Sequence, residues 1–297
     1  MANKFKFSVI IPTYNRAIVL DRSLDSLVKQ TFKDFEVIVC DDGSTDHTRE
    51  VVTKYYGILD IKYLVSDNWG GPAKPRNIGI KMARGEWICF LDSDDWWERN
   101  KLEVCLKYIN DYDFLCHSVK IEGTKRSKII RASFQVGKVF EDLLVKGNSI
   151  VTSSVCIKKA ILFEIGGFVE DKAFIAVEDF DLWLKVAEKG YRFKIIEDVL
   201  GFYSVGNGNI SMTEKQIEKI NTIYDYHINN YKLNSLLLKK VIGIKKYHTG
   251  RLHHEAFQYS KAVLDYKKAV QLGSASIKLK SLLHMVFAVF GIKVKVY

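Results

Sequence analysis

Over its first 120 residues the chain alternates two hydrophobic rhythms. Phe7 to Ile11 is a short apolar run that breaks at the polar turn Pro12-Thr13-Tyr14-Asn15-Arg16, the pattern of a buried strand and the loop that ends it. Leu20, Leu24, Leu27 and Val28 then recur at the spacing of one helix face. Phe35 to Cys40 predicts a second strand, and Ser44 and Asp46 stand where N-caps would open a helix through Tyr55. Ile61 to Val65 predicts a third strand, with a helix from Pro75 to about Ala83 behind it. Trp87 to Leu91 predicts a fourth, stopped by Asp92-Ser93-Asp94-Asp95. A helix near 98–109 and a strand at 113–117 complete the series.

Short apolar strands separated by helices imply βαβ units and a mainly parallel α/β sheet flanked by helices. Ligands of such sheets bind beyond the carboxyl ends of the strands. Three polar turns leave those ends here, PTYNR, DDGSTD and DSDD, and the topology would set all three on one rim. The middle of the chain mixes strand-like pieces (IVTSSVCIK) with a helical segment around 178–189, and beyond residue 215 the pattern is helical. The expected organisation is a catalytic domain over 1–214, with halves at about 1–120 and 121–214, and a helical region over 215–297.

Composition adds two facts. With 47% hydrophobic and 27% charged residues in 297, the chain is an ordered globular protein. Its five cysteines are scattered without a CxxC pair, which predicts buried thiols in a reducing compartment rather than disulfides or zinc. The first apolar run is too short for a signal peptide and no stretch approaches the roughly 18 to 20 apolar residues that span a bilayer. Charge is unevenly placed: Lys215 to Tyr297 holds 15 Lys/Arg against 4 Asp/Glu, whereas residues 1–214 hold 30 against 31. The whole basic excess therefore sits in the last third, a hint of an anionic partner surface.

The chemistry concentrates at the strand ends. Three carboxylates in four residues at Asp92–Asp95 repel one another unless something positive lies between them. A hard divalent cation bound to a diphosphate, Mn²⁺ or Mg²⁺, fits that need; a solvated acidic turn capping the next helix is the plainer reading of the same residues. Asp41 and Asp42 exceed what a β-turn requires, and one of them could accept a hydrogen bond from a uracil imide. The segment 68–77 (NWGGPAKPRN) sets glycines and cations ahead of a helix start, where backbone N–H groups favour phosphate. Glu178 and Asp179 open a helix, where acids usually complement the dipole; a carboxylate facing the site would also serve as general base.

These pieces, in this order, resemble the family-2 inverting glycosyltransferases of GT-A fold: SVIIPTYNR (8–16), SLDSLVKQTFKDFEVIVCDDGSTD (23–46), RNIGIKMARGEWICFLDSDDWW (76–97), and GGF with EDFDLWLK (166–185). The resemblance covers about residues 5–205. It implies that Pro12, Thr13 and Tyr14, with Asn15, line a nucleotide pocket and that Asp42, beside Asp41, reads the base. Gly71, Arg76 and Asn77 would lie near the nucleotide-sugar, Asp92 near the ribose with Ser93 beside it, and Asp95 at the sugar or just behind the metal. Asp94 would contact the metal. Asp179 would be the catalytic base, with Glu178 as fallback, moving one sugar from a nucleotide-diphosphate donor, a UDP-sugar, to a saccharide hydroxyl.

Relatives often carry a histidine after the base that helps bind metal; the equivalent stretch here, 202–211, has none, so no protein ligand beyond the DSDD acids is assigned. The QxxRW signature of processive synthases is absent, which implies addition of single sugars. The basic tail suits a membrane surface with anionic lipid better than nucleic acid, since no aromatic–basic interleaving is present; a helical extension packed on the catalytic domain is the simpler alternative. Relatives with such tails extend lipid-linked saccharides at the cytoplasmic face of bacterial membranes, and the same peripheral location is expected here. Two other readings are weaker. A dinucleotide-binding dehydrogenase needs GxGxxG where this chain has PTYNR, and a non-catalytic binding protein on this fold would not need all of Asp92, Asp94, Asp95 and Asp179.

Overall fold

The apolar runs become strands because burial on both faces removes the need for alternation. The structure, a computed structural model, describes residues 5–123, 128–204 and 213–292. Of the stretch 202–211, residues 205–211 lie outside the described residues, as do Lys293 and Lys295. The chain divides into two units, Met1–Gly137 with Ser149–Asn207, and Lys138–Asn148 with Gly208–Tyr297. The sequence alone placed 138–148 with the catalytic half.

In the first unit the order is β1 (Phe5–Thr13), α1 (Ala17–Val28), β2 (Phe35–Asp41), α2 (Thr48–Thr53), β3 (Ile61–Val65), α3 (Ala73–Met82), β4 (Gly85–Phe90), β5 (Trp96–Trp97), α4 (Lys101–Leu106), β6 (Phe114–Glu122) and β7 (Lys128–Ile130). After α5 (Val139–Lys146), which belongs to the second unit, come β8 (Cys156–Lys158), α6 (Lys159–Ile165), α7 (Glu178–Glu188) and β9 (Phe193–Ser204). The second unit continues with α8 (Thr213–Asn230), α9 (Ser235–Glu255), α10 (Tyr259–Leu272) and α11 (Ala275–Val289).

Among the described residues one sheet runs β3-β2-β1-β4-β8-β6-β9-β5, with β7 beside β6. Strands β3, β2, β1 and β4 are parallel neighbours, as the alternating pattern predicts. β8 is antiparallel to both β4 and β6, while β9 lies parallel to β6. Periodicity reports burial and not direction, so a three-residue apolar strand reads the same either way. The helix expected from Ser44 or Asp46 starts later, at Thr48. Asp46 still serves its opening, because its Oδ1 accepts from Thr48 N at 3.1 Å while Oδ2 accepts from Ala17 N at 3.0 Å.

The core on one face of the sheet gathers Leu20, Leu24 and Leu27 of α1, Val51 and Val52 of α2 and Leu102 of α4 over Val9, Ile11, Val37 and Val39. On the opposite face α3 lies very close, because a Cβ on Gly79 would come within 2.7 Å of Ile10 and 2.9 Å of Cys40 Sγ. That close seat sets the height of Arg76, three residues earlier on α3. At the end of the sheet away from the polar turns, buried Glu36 accepts from Ser8 Oγ at 2.7 Å and Arg84 Nε at 2.8 Å, while Gly85 N donates to Ser8 Oγ at 2.8 Å. A Cβ on Gly85 would fall 2.6 Å from the backbone of Phe7 and Ser8. Gly85→Ala should therefore destabilise the fold by about 2 to 3 kcal/mol, the scale of overpacking against atoms that cannot yield. A fall in the urea midpoint at unchanged slope checks this; an unchanged midpoint refutes it.

In the second unit, Asn234 caps α9 by accepting from Leu237 N at 2.9 Å. α9 buries Val241, Ile244, Tyr247 and Leu252, and α10 buries Ala262, Tyr266 and Ala269. Among the described residues no helix is long and apolar enough to cross a membrane.

Candidate active site

Because β1, β2 and β4 are parallel neighbours, the turns after them share one rim of the sheet. Asn15 ties the first two together. It adopts a left-handed φ of 50°, which Asn tolerates better than most residues. Its Oδ1 accepts from Thr45 N at 2.8 Å and Asp46 N at 3.3 Å, and its own N–H donates to Ser44 Oγ at 2.8 Å. Asp41 is spent inside this turn, accepting from Ser44 N at 2.8 Å and from the Tyr63 hydroxyl. Asp42 instead reaches forward and accepts from Trp69 N at 2.8 Å and Gly70 N at 2.9 Å, anchoring the glycine loop. Pro12 pairs with Cys40 in the sheet, Tyr14 is 46% exposed above it, and the buried Thr13 Oγ1 has no hydrogen-bond partner among the described residues. Gly71 allows Ile175 to approach, since a Cβ there would meet that side chain at 3.0 Å.

The acids after β4 take different partners. Asp92 Oδ1 accepts from Arg76 Nη2 at 2.7 Å. Asp95 is buried and held by other partners, accepting from Ser153 Oγ and, at 2.9 Å, from Ser204 N. Ser93 lies buried with its carbonyl accepting from Ser23 Oγ at 2.8 Å. Asp94 stays half-buried, and Arg22 Nη2 holds its backbone carbonyl at 2.8 Å. Arg22 in turn lies 3.5 Å over the Trp96 ring, which stacks on Phe202 at 5.0 Å. The mutual repulsion expected of the cluster is thus partly relieved within the protein, by one guanidinium, one hydroxyl and one amide. Its remainder shows at two carboxyls. Burial and then the charge of Asp92 push Asp94 up, against the pull of Arg16 and Arg22, and the same two causes raise Asp95 well above the usual range.

Arg76 joins this turn to the start of α7. Its Nη1 donates to Glu178 Oε1 at 2.9 Å while Nη2 holds Asp92, and its guanidinium lies 5.1 Å over the Phe168 ring. Burial alone would lower its pKa, but the charges of Asp92 and Glu178 overcome that and raise it. Glu178 Oε2 also accepts from Ala176 N at 2.6 Å, and Ala176 sits at a left-handed φ of 73°, a strained turn held by that bond. Asp179 accepts from Thr152 Oγ1 at 3.0 Å on Oδ2 and from Phe180 N at 2.6 Å on Oδ1. Burial first, and the charge of Glu178 second, push its pKa up to about 6 against Arg76 and Thr152. Asn77 does not point at this group. Its amide ties α3 to the loop after α6, donating to Phe168 O and Glu170 Oε1, both at 2.8 Å, and accepting from Phe168 N at 2.9 Å.

Three neighbours escaped the sequence reading. Thr152 and Ser153 form a short 3-10 turn that steadies Asp179, Asp95 and the Asp92 amide, the last donating to Ser153 Oγ at 3.0 Å. Three consecutive hydroxyls inside an apolar stretch were the available signal, since such side chains compete with strand pairing. Tyr203 is raised to about 12 by burial and then by the charges of Asp95, Asp92, Asp94 and Asp179, which puts its phenol in the field of all four. Nothing in the local sequence marked it.

A rim that carries an acid turn after β4, with a buried carboxylate at the start of a helix beyond it, is the layout the resemblance implies. The model of the family described as "Glycosyl transferase family 2" matches residues 8–162, more than half of the chain. The chain belongs to glycosyl transferase family 2. This glycosyltransferase is similar to poly(ribitol-phosphate) beta-N-acetylglucosaminyltransferase TarS of Staphylococcus aureus strain Mu50, at 28% identity over 80% of the chain and 41% of TarS. It is 30% identical to the Escherichia coli UDP-Glc:alpha-D-GlcNAc-diphosphoundecaprenol beta-1,3-glucosyltransferase WfgD, over 81% of the chain and 94% of WfgD. TarS residues 1–349 with UDP-GlcNAc superpose on 96% of the glycosyltransferase and 88% of that structure, with a TM-score of 0.67 at 25% identity. The mannosyltransferase PcManGT of Pyrobaculum calidifontis, solved with GDP-Man and Mn²⁺, shares the fold at a TM-score of 0.64 and 20% identity, over 96% and 81%. The glycosyltransferase thus has the GT-A fold, while its sequence match spans only 41% of full TarS.

Enzymes of this family generally use a divalent metal. Among the described residues no three His, Cys, Asp or Glu side chains converge as a ready cage. The donors on hand are the hard oxygens of Asp94 and of the free side of Asp92. They fit a Mg²⁺ or Mn²⁺ ion that takes its other ligands from a diphosphate and water.

Proposed function

We propose that this glycosyltransferase moves one sugar at a time from a UDP-sugar, with inversion, to a hydroxyl of a saccharide acceptor carried on a lipid, in bacterial polysaccharide assembly. The reading rests on one observation: Asp179, poised at about 6, lies in the field of Arg76, which holds Asp92 of the acid turn, so a proton acceptor would stand beside the diphosphate site assigned to that turn. At neutral pH such a carboxylate is mostly ionised and more basic than an ordinary one. As the acceptor oxygen bonds to the anomeric carbon, its proton passes to Asp179. The bond from that carbon to the diphosphate oxygen breaks on the opposite face, which inverts configuration. Asp94 would hold the divalent cation, which when bound neutralises charge on the departing diphosphate.

The remaining roles follow the same rim. Pro12, Thr13 and Tyr14 border the nucleotide, with Asn15 and Asp41 holding the turns that shape its pocket. A carboxylate has about four acceptor positions, so Asp42 can keep Trp69 and Gly70 in place and still meet a uracil imide. Gly71 opens the diphosphate side, Asp92 and Ser93 face the ribose, and Arg76 with Asn77 sets the distance between the two halves. Asp95 orients Ser153 and Ser204 behind the sugar. Residues 1–214 carry out transfer, with donor and acceptor halves near 1–120 and 121–214, and 215–297 hold the protein peripherally on the inner face of the cell membrane. WfgD's lipid-diphosphate acceptor, and the UDP-GlcNAc bound by TarS, support the lipid-linked acceptor and the UDP donor.

Thermal shift with UDP, with and without Mn²⁺, against NAD is the first check. Stabilisation by NAD and not by UDP would overturn the reading, and a panel of UDP-sugars with Mn²⁺ then identifies the donor by hydrolysis or transfer. Asp94→Ala should lower the metal-dependent part of UDP affinity by about 100-fold, the worth of several kcal/mol of charge neutralisation. Unchanged Mn²⁺ dependence in that variant would place the metal elsewhere.

A further inference from the structure

Helix α11 is apolar on both sides, and only one side is covered. Ile277, Ser281 and Ala288 are buried along its inner face. Leu279, Leu282, Leu283, Val286, Val289 and Phe290 are exposed by 71, 44, 52, 49, 66 and 73%. At about 100° per residue, this second set occupies roughly 120° to 240° around the axis from Ile277, opposite the buried face. Lys278 and Lys280, both exposed, fall near 100° and 300°, one on either flank of the stripe. A helix that is apolar all round is normally buried all round. An open groove of about 450 Å³ between α10 and α11, lined by Tyr259, Val263, Leu264, Ala288 and Val289, extends the same apolar surface.

Charge decides what covers it. From Tyr266 to Tyr297 the chain has six lysines and no Asp or Glu. A second copy of α11 would bring two basic helices together, with no acid between Tyr266 and Tyr297 of either to pair them. An anionic bilayer offers both an apolar interior and the opposite charge. We infer that α11 is the membrane-inserting element of this protein, lying in the plane of an anionic lipid surface with Leu279, Leu283, Val286 and Phe290 in the acyl boundary and Lys278 and Lys280 at the headgroups. The helix has 15 residues, about 22 Å of length, too short for the roughly 30 Å hydrocarbon core; it lies on the membrane and does not cross it. Its lysines can extend their stems along the apolar face and keep their ammonium groups at the phosphates. This deepens the peripheral placement proposed above, and rests on it.

Co-sedimentation of the full chain with vesicles tests it. Binding to vesicles with 30% phosphatidylglycerol in phosphatidylcholine should exceed binding to pure phosphatidylcholine by at least about 10-fold and fall at high salt. Leu283→Glu with Val286→Glu should lower it at least about 10-fold. Lys278→Gln with Lys280→Gln should lower it about 5-fold per lysine. These side chains are exposed, so melting by circular dichroism should stay at the wild-type temperature. If the glutamate pair fails to fold, Leu283→Ser with Phe290→Ser gives the same reading. Full binding by the folded variants, or no binding by wild type, overturns the inference. So does a wild-type dimer that the glutamate pair splits into monomers, which would make this face a self-association surface. Hydrolysis of UDP-sugar without vesicles is measured alongside: its loss in wild type counts against the transferase reading, and vesicle binding is scored independently of it.

Discussion

Asp179→Asn is expected to cut turnover by at least about 100-fold while UDP-sugar affinity stays within about twofold. The size is that of general base catalysis, and binding survives because the amide keeps the shape of the carboxylate: its oxygen can still accept from Phe180 N, and its NH2 can donate to the Thr152 hydroxyl. In the wild type, kcat/KM should fall as pH drops through about 6, the value to which burial and then Glu178 push this carboxyl, and the residual rate of the variant should lose that step. Stability should move the other way. A carboxyl raised in the fold favours the protonated form, so its contribution is fully present below the unfolded value near 4 and is lost as pH rises through about 6. At pH 7.5 the folded protein therefore holds a disfavoured charge, and Asp179→Asn should melt a few degrees higher, with the advantage gone near pH 4. Normal turnover in the variant would move the base elsewhere. Glu178→Gln tests the alternative, though Glu178 is already committed to Arg76 and Ala176 N.

Arg76→Ala is expected to cost about 3 to 5 kcal/mol of stability, the penalty for removing one partner of a buried ionic group. The residue is 3% exposed and bridges Asp92 and Glu178 at 2.7 and 2.9 Å, so its loss strands Glu178, itself 4% exposed, without its cation. Arg76→Lys should recover little, because one ammonium cannot reproduce a planar fork holding two acids in different directions. Adding Glu178→Gln to Arg76→Ala removes the stranded charge and should restore part of the loss, a coupling that a double-mutant cycle reads directly. Urea unfolding of Arg76→Ala, Glu178→Gln and the double variant supplies the cycle, with Arg76→Lys measured beside them. A loss under about 1 kcal/mol for Arg76→Ala would show that Asp92 and Glu178 are satisfied without the guanidinium, and that the bridge does not organise the site.

The strands and most helices were legible because burial leaves a period in the sequence. Phe35 to Cys40 read as a buried strand, and Leu20, Leu24 and Leu27 shared the spacing of one helix face. The rim was legible for the same reason: parallel neighbours put PTYNR, DDGSTD and DSDD at one end. Individual acids were visible as well, since Asp92, Asp94, Asp95 and Asp179 are conspicuous where they stand. Their jobs were not. Whether a carboxylate meets a cation, a hydroxyl or solvent depends on which residues from far along the chain arrive beside it, and Arg76, Ser153, Ser204 and Thr152 reach these acids only through the fold. The antiparallel course of β8, the tether made by Asn77 and the uncovered face of α11 share that origin. Local pattern reports whether a side chain is to be buried; partner, direction and exposure are settled by contacts between segments that the order of residues does not bring together.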